Sequence, residues 1–558
     1  MRKKYIALSL LFGGLSASAQ IDVTGTASVA GGLGQANPWD ASLNLDIKKE
    51  GKFSINPFVR AYGINRFASE ADEKIDFTYT GIMPLSENAG NRYTSNRRTD
   101  ANGWALDCGV QMQFTPNKHN LFKINVESID LFKDVHGSQT EQAWKADGTL
   151  LSSVRTSIWD PEQNKATQTA SALYQYKTNM EGESITLQYK ITHDTYDYRH
   201  YLTVDDQTNF SLFGKDSELS SNATINHHDA QVDWLRPVAK GHSVNLGARY
   251  EERDIHLTDE QFFDGVQVLK EPFDHRYFTV GAFAAYNLKW KGLTAMARLE
   301  YDYTRQQGND LNDLVPTARV QWQIDKKNSL MALYGRRIVR AGYDLLNPAH
   351  IKGAYTEYYG NAGLVGMHAN NVQLAYTLKT QPLDFKATLQ HIFADDGFNA
   401  IWMERNNVRI STWGNEGKRR AWGLTPDVTW RLCDETTLQA NATLLWDKRV
   451  ADAIHMAKEH WGITAHLGLK QQLPWSLQLT ASADYSEGNT LDLYSHEGRS
   501  WGTNVGLQRS FGKLATLELE YYYKESPTIC ITQGGYTGII DSDLTHRHAA
   551  LLKLTVRF

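Results

Sequence analysis

The last nine residues alternate between two kinds of side chain. Ala550, Leu552, Leu554, Val556 and Phe558 are apolar, and Leu551, Lys553, Thr555 and Arg557 between them are mostly polar. Successive side chains of a strand point to opposite faces, so this segment makes a strand with one wholly apolar face. The same period of two recurs far upstream. Leu438, Ala440, Ala442, Leu444 and Trp446 alternate with Gln439, Asn441 and Thr443, and Leu477, Leu479, Ala481, Ala483 and Tyr485 with Gln478, Thr480, Ser482 and Asp484. Leu293, Ala295, Ala297, Leu299, Tyr301 and Tyr303 alternate with Thr294, Arg298, Glu300 and Asp302; Val244, Leu246, Ala248 and Tyr250 alternate with Ser243, Asn245, Arg249 and Glu251. Runs of roughly 9–11 residues cross a bilayer when tilted. Many of these end on Tyr or Trp, the residues that settle at a membrane interface.

The connections between runs are of two kinds. Tight turns fall at Lys49–Gly51, Thr115–Lys118, Asn179–Gly182, Val238–Gly241, Trp290–Gly292, Lys326–Lys327, Thr380–Pro382, Cys433–Asp434, Gln472–Pro474 and Phe511–Lys513. Longer polar stretches lie between them, near 63–102, 132–166, 196–221, 340–365, 396–417 and 526–545. Short turns on one side and long loops on the other are the arrangement of outer-membrane barrels. Ten turns join eleven strand pairs, from 21–31 with 40–48 to 513–525 with 546–558. The expectation is therefore an all-β, transmembrane antiparallel barrel of about 22 strands (about 20–24), with short periplasmic turns and long extracellular loops. Closure is required, because an open edge would leave backbone groups unpaired in lipid. A soluble propeller would show a blade-length repeat, which is absent.

Bulk composition fits strands better than membrane helices. Mean hydropathy is only −0.48, and aromatics make up 11% of the chain, as expected when every second residue faces lipid. Residues 1–19 read as a signal peptide: Arg2, Lys3 and Lys4, an apolar core from Tyr5 to Leu15, and the small-residue site Ala17-Ser18-Ala19. The barrel would then occupy residues 20–558. No cysteine follows the site, so no lipid anchor is expected there. The formal charge of −5 becomes more negative once the signal is removed and argues against a nucleic-acid partner. Cys108, Cys433 and Cys530 are odd in number and scattered, which favours isolated thiols.

Alternation assigns Arg60, Lys190, Arg249, Glu251, Arg298, Glu300, Asp302, Glu518, Glu520 and Lys524 to the lumen face. Charge there stays wet, whereas Arg or Lys on the lipid face costs about 2–4 kcal/mol at mid-membrane. These residues make either a selective wall or a salt-bridge lattice that stiffens a wide barrel. His193-Asp194, His227-His228-Asp229, Asp274-His275 and the group Asp541, Asp543, His546 and His548 contain acid–base and ligand chemistry. None has a metal-ligand spacing, and solvated residues at strand ends are the plainer reading. No nucleophile elbow is present, and Gly31-Gly32-Leu33-Gly34 is not followed by a helix. We expect no catalytic set, cofactor or metal. Trp402-Met403-Glu404-Arg405 and Val408-Arg409-Ile410 flank Asn406-Asn407 as an extracellular hairpin, either a binding arm or a strand extended beyond the membrane.

Tyr334-Gly335-Arg336-Arg337-Ile338-Val339-Arg340 continues into Tyr343, Leu346-Asn347-Pro348, then Tyr359-Gly360-Asn361 and Leu364. This run resembles the Bacteroidetes outer-membrane β-barrel family related to TonB-dependent receptors, in which a strand ending Tyr-x-Arg-Arg-Ile-x-Arg-Pro leads to Leu-Asn-Pro and then Gly-Asn-Pro-x-Leu-x-Pro-Glu. Ala341 stands where that pattern has its first proline, and Ala362, Gly366 and Met367 where it has Pro, Pro and Glu. The resemblance implies a Gram-negative outer membrane. It also implies a structural role for Tyr334, Arg336, Arg337, Arg340, Tyr343, Asn347, Pro348, Gly360 and Asn361 at a strand top and the loop leaving it. The terminal Phe558 resembles the signature read by the barrel-insertion machinery. Receptors of this kind hold a plug domain in the barrel; here alternation begins almost at the cleavage site, so a barrel without a plug is expected and TonB dependence is not implied. Such a barrel would pass or capture a solute across the outer membrane, in contact with lipid and with a surface lipoprotein or other outer-membrane partner. The alternative is a non-transporting scaffold barrel in a multi-protein complex, and a third reading is a barrel hydrolase.

Overall fold

The computed structural model describes residues 22–34, 39–49, 51–63, 70–79, 91–208, 215–306, 309–353, 356–405, 408–525, 528–531, 536–542 and 547–558. The expected signal peptide lies outside the described residues. Twenty-two antiparallel strands form a closed ring. The first, Asp22–Gly34, pairs with Trp39–Lys49 on one side and with the last, Arg547–Arg557, on the other. Closure leaves no free edge in the membrane, so each spanning strand has a hydrogen-bonded neighbour on both sides.

Burial runs opposite to that of a water-soluble protein. On the strand Leu293–Gln306, Leu299 and Tyr301 are 53% and 47% exposed, while Glu300 and Asp302 beside them are 6% and 0% exposed. Exposed Leu246, Leu314, Val320, Leu374, Leu444, Leu467, Leu519 and Leu552 continue the apolar outer band around the ring. Trp104, Trp422, Trp461 and Tyr286 stand among them, where amphipathic rings suit the interface.

All ten expected turns join neighbouring strands. At the turn between Ser217–Ala239 and His242–Phe263, Gly241 has φ +78°, and a Cβ there would meet the Lys289 carbonyl at 2.1 Å. Several of the expected long loops need correction, because most of their described length is strand. Residues 132–166 belong to Asn120–Trp144 and Leu150–Lys177, paired from Asn120↔Tyr176 to Trp144↔Leu150 around a short turn. Within 196–221 and 396–417, most of the described residues likewise continue Ser184–Thr208, Ser217–Ala239, Leu383–Arg405 and Val408–Cys433. A strand of 28 residues reaches about 90 Å at about 3.3 Å per residue, far beyond the roughly 30 Å of a bilayer core. Above the lipid the outer face meets water and need not be apolar, so the hydrophobic alternation fades while backbone pairing persists, even though Val154 and Ile158 are only 2% exposed. Glu70–Tyr79, Tyr536–Ser542, Ile529–Ile531 and Ser495–Glu497 pair in sequence into the same crown.

The chain end takes part in closure. The Gly25 amide donates to the Phe558 carbonyl at 2.7 Å, and the Phe558 amide donates to the Gly25 carbonyl at 3.0 Å. Deleting Phe558 should cost about 1–3 kcal/mol for these two bonds, read as a lower urea midpoint of the barrel in lipid vesicles. An unchanged midpoint would mean that the residue matters only for recognition during insertion.

Candidate lumen gate

Three neighbouring strands, His242–Phe263, Val266–Trp290 and Leu293–Gln306, carry the densest charge on the inner wall. Arg249, Gly281 and Asp302 lie opposite one another across them. Arg249 reaches over the glycine: its Nη2 lies 2.6 Å from Asp302 Oδ2 and its Nε 2.6 Å from Glu300 Oε1. A Cβ on Gly281 would sit 2.3 Å from Asp302 Oδ1. Arg298 Nη2 adds a contact to Glu300 Oε2 at 2.8 Å, and its guanidinium lies 3.6 Å from the Phe283 ring centroid. Glu251 accepts from the Tyr277 hydroxyl at 3.1 Å and has His227 Nε2 at 3.4 Å.

The other lumen candidates point inward elsewhere around the ring. Arg60 Nε donates to Asp40 at 2.9 Å. Lys190 lies opposite Asp229, Glu518 opposite Lys553, and Glu520 opposite Leu551. Arg249, Glu251, Arg298, Glu300 and Asp302 thus form one cluster, which the rest do not join.

Above this cluster the chain leaves the wall at Val339 and returns at Met367. Between them, the described residues 340–353 and 356–366 fold across the inside of the barrel. One helical turn, Tyr343–Leu346, drives Leu346 into a seat formed by Ala223, Leu257 and Phe273, with Leu364 beside it. Tyr343 and Ala362 pack on the same cluster. Thr356–Tyr358 pair in parallel with 409–411 of the hairpin strand Val408–Cys433.

Wall side chains supply the polar partners that the segment loses to water. Arg340 Nη2 donates to Thr279 and Thr304 hydroxyls at 3.0 and 2.6 Å. Asn347 Nδ2 donates to Asp259. Gln261 donates to the Lys352 carbonyl at 2.6 Å and accepts its amide at 3.2 Å. Gln306 donates to the Leu364 carbonyl at 2.9 Å, and Asn415 exchanges two bonds with Val365. Asn361 Nδ2 reaches the Trp413 carbonyl at 2.9 Å. Asp259 and Gln261 are 1% and 2% exposed, so each is buried with its partner in place.

The motif residues therefore divide. Arg340, Tyr343, Asn347, Gly360 and Asn361 build the inward segment, with Pro348 following Asn347. Tyr334 belongs to the strand Asn328–Val339 and donates to Asn370 at 3.0 Å. Arg336 and Arg337, adjacent on that strand, point to opposite faces. Asp259, Gln261, Thr279, Thr304, Gln306 and Asn415 escaped the sequence reading; their only signal was polar residues at inward-phase positions past the ends of the apolar runs.

Gly360 sits so tightly that a Cβ would come within 2.6 Å of the Asn347 and Leu345 carbonyls and 2.7 Å of the Asn347 amide nitrogen. These are backbone atoms that cannot swing away. Gly360→Ala should therefore loosen the segment by about 1–3 kcal/mol, seen as faster amide hydrogen exchange at 343–364 with the wall strands unchanged. Equal protection in both proteins would contradict this packing.

Neighbouring His and Asp residues do not combine into catalytic sites, because consecutive strand residues face opposite ways. His193 Nδ1 bonds Asn226 at 2.7 Å, while Asp194 accepts from Thr167 at 2.6 Å. Asp274 pairs with His256 at 2.6 Å, and His275 is buried on the other face. His227 turns to Glu251 and His228 to the Tyr189 hydroxyl. His548 bonds Tyr521 at 2.8 Å; Asp543 and His546 lie outside the described residues. Among the described residues, no group of three or more potential metal ligands gathers, and all three cysteines are unpaired.

The hairpin ending near residue 405 is not a detached arm. The Trp402 amide donates to the Tyr494 hydroxyl at 2.8 Å, and the two rings stack at 4.1 Å. Asn406-Asn407 lie outside the described residues. In the same crown region, burial and the nearby Lys458 ammonium push the His496 imidazole down to about 4, so His496 and the His460 ring beside it at 4.2 Å pack as neutral groups at physiological pH.

A model of the outer membrane protein beta-barrel family matches residues 176–522, more than half of the chain. The chain belongs to this family. Its barrel is similar to that of the ferric enterobactin receptor PfeA of Pseudomonas aeruginosa, with TM-score 0.60, 13% identity, and coverage of 97% of this chain and 81% of that one. The copper transporter OprC gives 0.62, 9%, 97% and 81%. The outer membrane transporter YddB of Escherichia coli gives 0.59, 9%, 96% and 81%. At such identities the likeness is one of fold. No curated protein matches the sequence. Family and fold together place this barrel in the outer membrane, among structures of receptors and transporters.

Proposed function

We propose that this family member passes or captures a solute across the outer membrane, and that the described residues 340–353 and 356–366 form its gate. The observation that carries the reading is the segment's position: it lies inside the ring and is held by side chains of several different strands. A barrel of this strand number leaks if its lumen is empty, so a segment folded into it does closing work. Receptors that the chain resembles hold a plug domain in the barrel; here part of the closure is assigned to the wall's own connection. The tie is made of short hydrogen bonds and one small apolar seat, a size of interaction that can open without unfolding the ring. Neighbouring structures titled for ferric enterobactin or copper do not extend either solute to this protein.

Planar-bilayer recording of the full chain tests the proposal. Brief openings over a closed background support a gated passage. A folded barrel that stays silent, and remains silent when the seat of the segment is destroyed, would favour the scaffold reading.

A further inference from the structure

We propose that Arg253 and Arg340 form an oxyanion site at the root of the 340–366 segment, which takes a carboxylate or phosphate group of the solute. The inference rests on the solute reading above and names a chemical class for it. Asp302 and Glu300 are held by Arg249 and Arg298. Glu251 is held by His227 and the Tyr277 hydroxyl. Two guanidinium groups remain without a direct carboxylate contact, although the charges of Glu251 and Asp302 reach Arg340 through space. Among the described residues, neither Arg253 nor Arg340 has a carboxylate at ion-pair distance. Arg340 gives Nη2 to two neutral threonine hydroxyls, and its Nη1 is buried without a partner. The Nε of Arg253 is also buried without a partner.

The two groups meet at one ring. Arg253 is directly opposite Tyr277 in the strand register, and the Arg340 guanidinium lies 5.2 Å from the Tyr277 ring centroid. A buried donor with no acceptor is costly, and more so when it carries charge. Two such donors on neighbouring cations call for an acceptor with more than one oxygen. A guanidinium fork matches a carboxylate or phosphate in geometry as well as charge. The place is also suited to a passing solute. Arg253, Ile255 and Leu257 follow one another on the inward face of their strand, and Leu257 belongs to the seat of the segment. Arg340 is the segment's first residue. An anion held here would lie just below the seat, at the point where the gate leaves the wall.

Calorimetric titration of the full chain in detergent micelles, at constant low ionic strength, decides the matter. The probes are inorganic phosphate and succinate, with chloride as the control. Saturable binding of phosphate, succinate or both is expected, and the stronger of the two identifies the oxyanion. Arg253→Gln should weaken it about tenfold or more, and Arg253→Lys, which keeps charge without the fork, should weaken it less. Lys190→Gln, which removes a lumen cation elsewhere on the wall, should leave it unchanged. The site is overturned if neither probe binds the native chain, if Arg253→Gln and Arg253→Lys both bind as the native chain does, or if Lys190→Gln weakens binding as much as Arg253→Gln. Because binding is measured without a membrane, bound anion with no permeation would sink the transport reading and leave this site standing; permeation without anion binding would do the reverse.

Discussion

Replacing Leu346 by Asp should open the proposed gate and leave the barrel conducting steadily. Leu346 is 2% exposed, at the end of the helical turn Tyr343–Leu346, against Ala223, Leu257 and Phe273. Truncating a buried leucine costs about 2–5 kcal/mol. An ionised carboxylate in the same place adds the cost of burying an unpaired charge, with the Asp259 carboxylate bound to the next residue, Asn347. The hydrogen bonds that tie the segment each contribute about 0.5–1.5 kcal/mol net. The seat is therefore comparable to several of those bonds, and every 1.4 kcal/mol shifts the open-to-closed ratio about tenfold. Residue 346 belongs to no strand of the ring, so L346D should still run as a folded barrel on unheated gels. The measurement is open probability in planar bilayers, with L346A expected between the native chain and L346D. A folded L346D barrel with native conductance would remove the segment from the role of gate.

The sequence made the membrane part of this fold legible and concealed the parts that face water. Leu299 and Tyr301 alternate with Glu300 and Asp302 because lipid demands an apolar side chain at every outward position, and the lumen places no such demand on the inward ones. Above the lipid that demand stops. Asn120–Trp144 and Leu150–Lys177 stay paired there, with register shifts after Lys133 and Ala143, yet their Ser, Thr, Gln and Lys residues show no hydrophobic period, so 132–166 reads as a loop. The inward segment was visible only in part. The run from Tyr334 to Leu364 marked the place where the chain leaves a strand, and nothing in it states that the chain turns inward. That direction is set by Asp259, Gln261, Gln306 and Asn415, which meet the segment from other strands and are polar residues without distinction until the ring closes. The same holds for His193-Asp194 and Asp274-His275: nearness in sequence suggested chemistry, and the strand pleat sends each pair to opposite sides of the wall.

Arg249→Met should lower the thermal midpoint of the barrel more than any other single change on the inner wall. The Asp302 side chain is fully buried and Glu300 nearly so. Arg249 is the group that neutralises Asp302, whereas Glu300 retains Arg298. Removing one partner of a buried ion pair costs about 3–5 kcal/mol, because the other charge stays behind unpaired. The pair spans three strands and is admitted by Gly281, which lies between its partners in the register. Loss of Arg249 therefore weakens the ring and not a loop, and it should appear as unfolding at lower temperature in detergent, followed as loss of the folded band on gels. The companion variant separates charge from shape. In R249M with D302L both charges are gone, and apolar residues fill the same space; buried pairs replaced in this way are often neutral or better in stability. The double variant should recover most of the lost midpoint. If R249M melts where the native chain does, the cluster is a solvated lattice with no structural weight. If the double variant melts no higher than R249M, the cost lies in lost packing over Gly281 rather than in a stranded carboxylate.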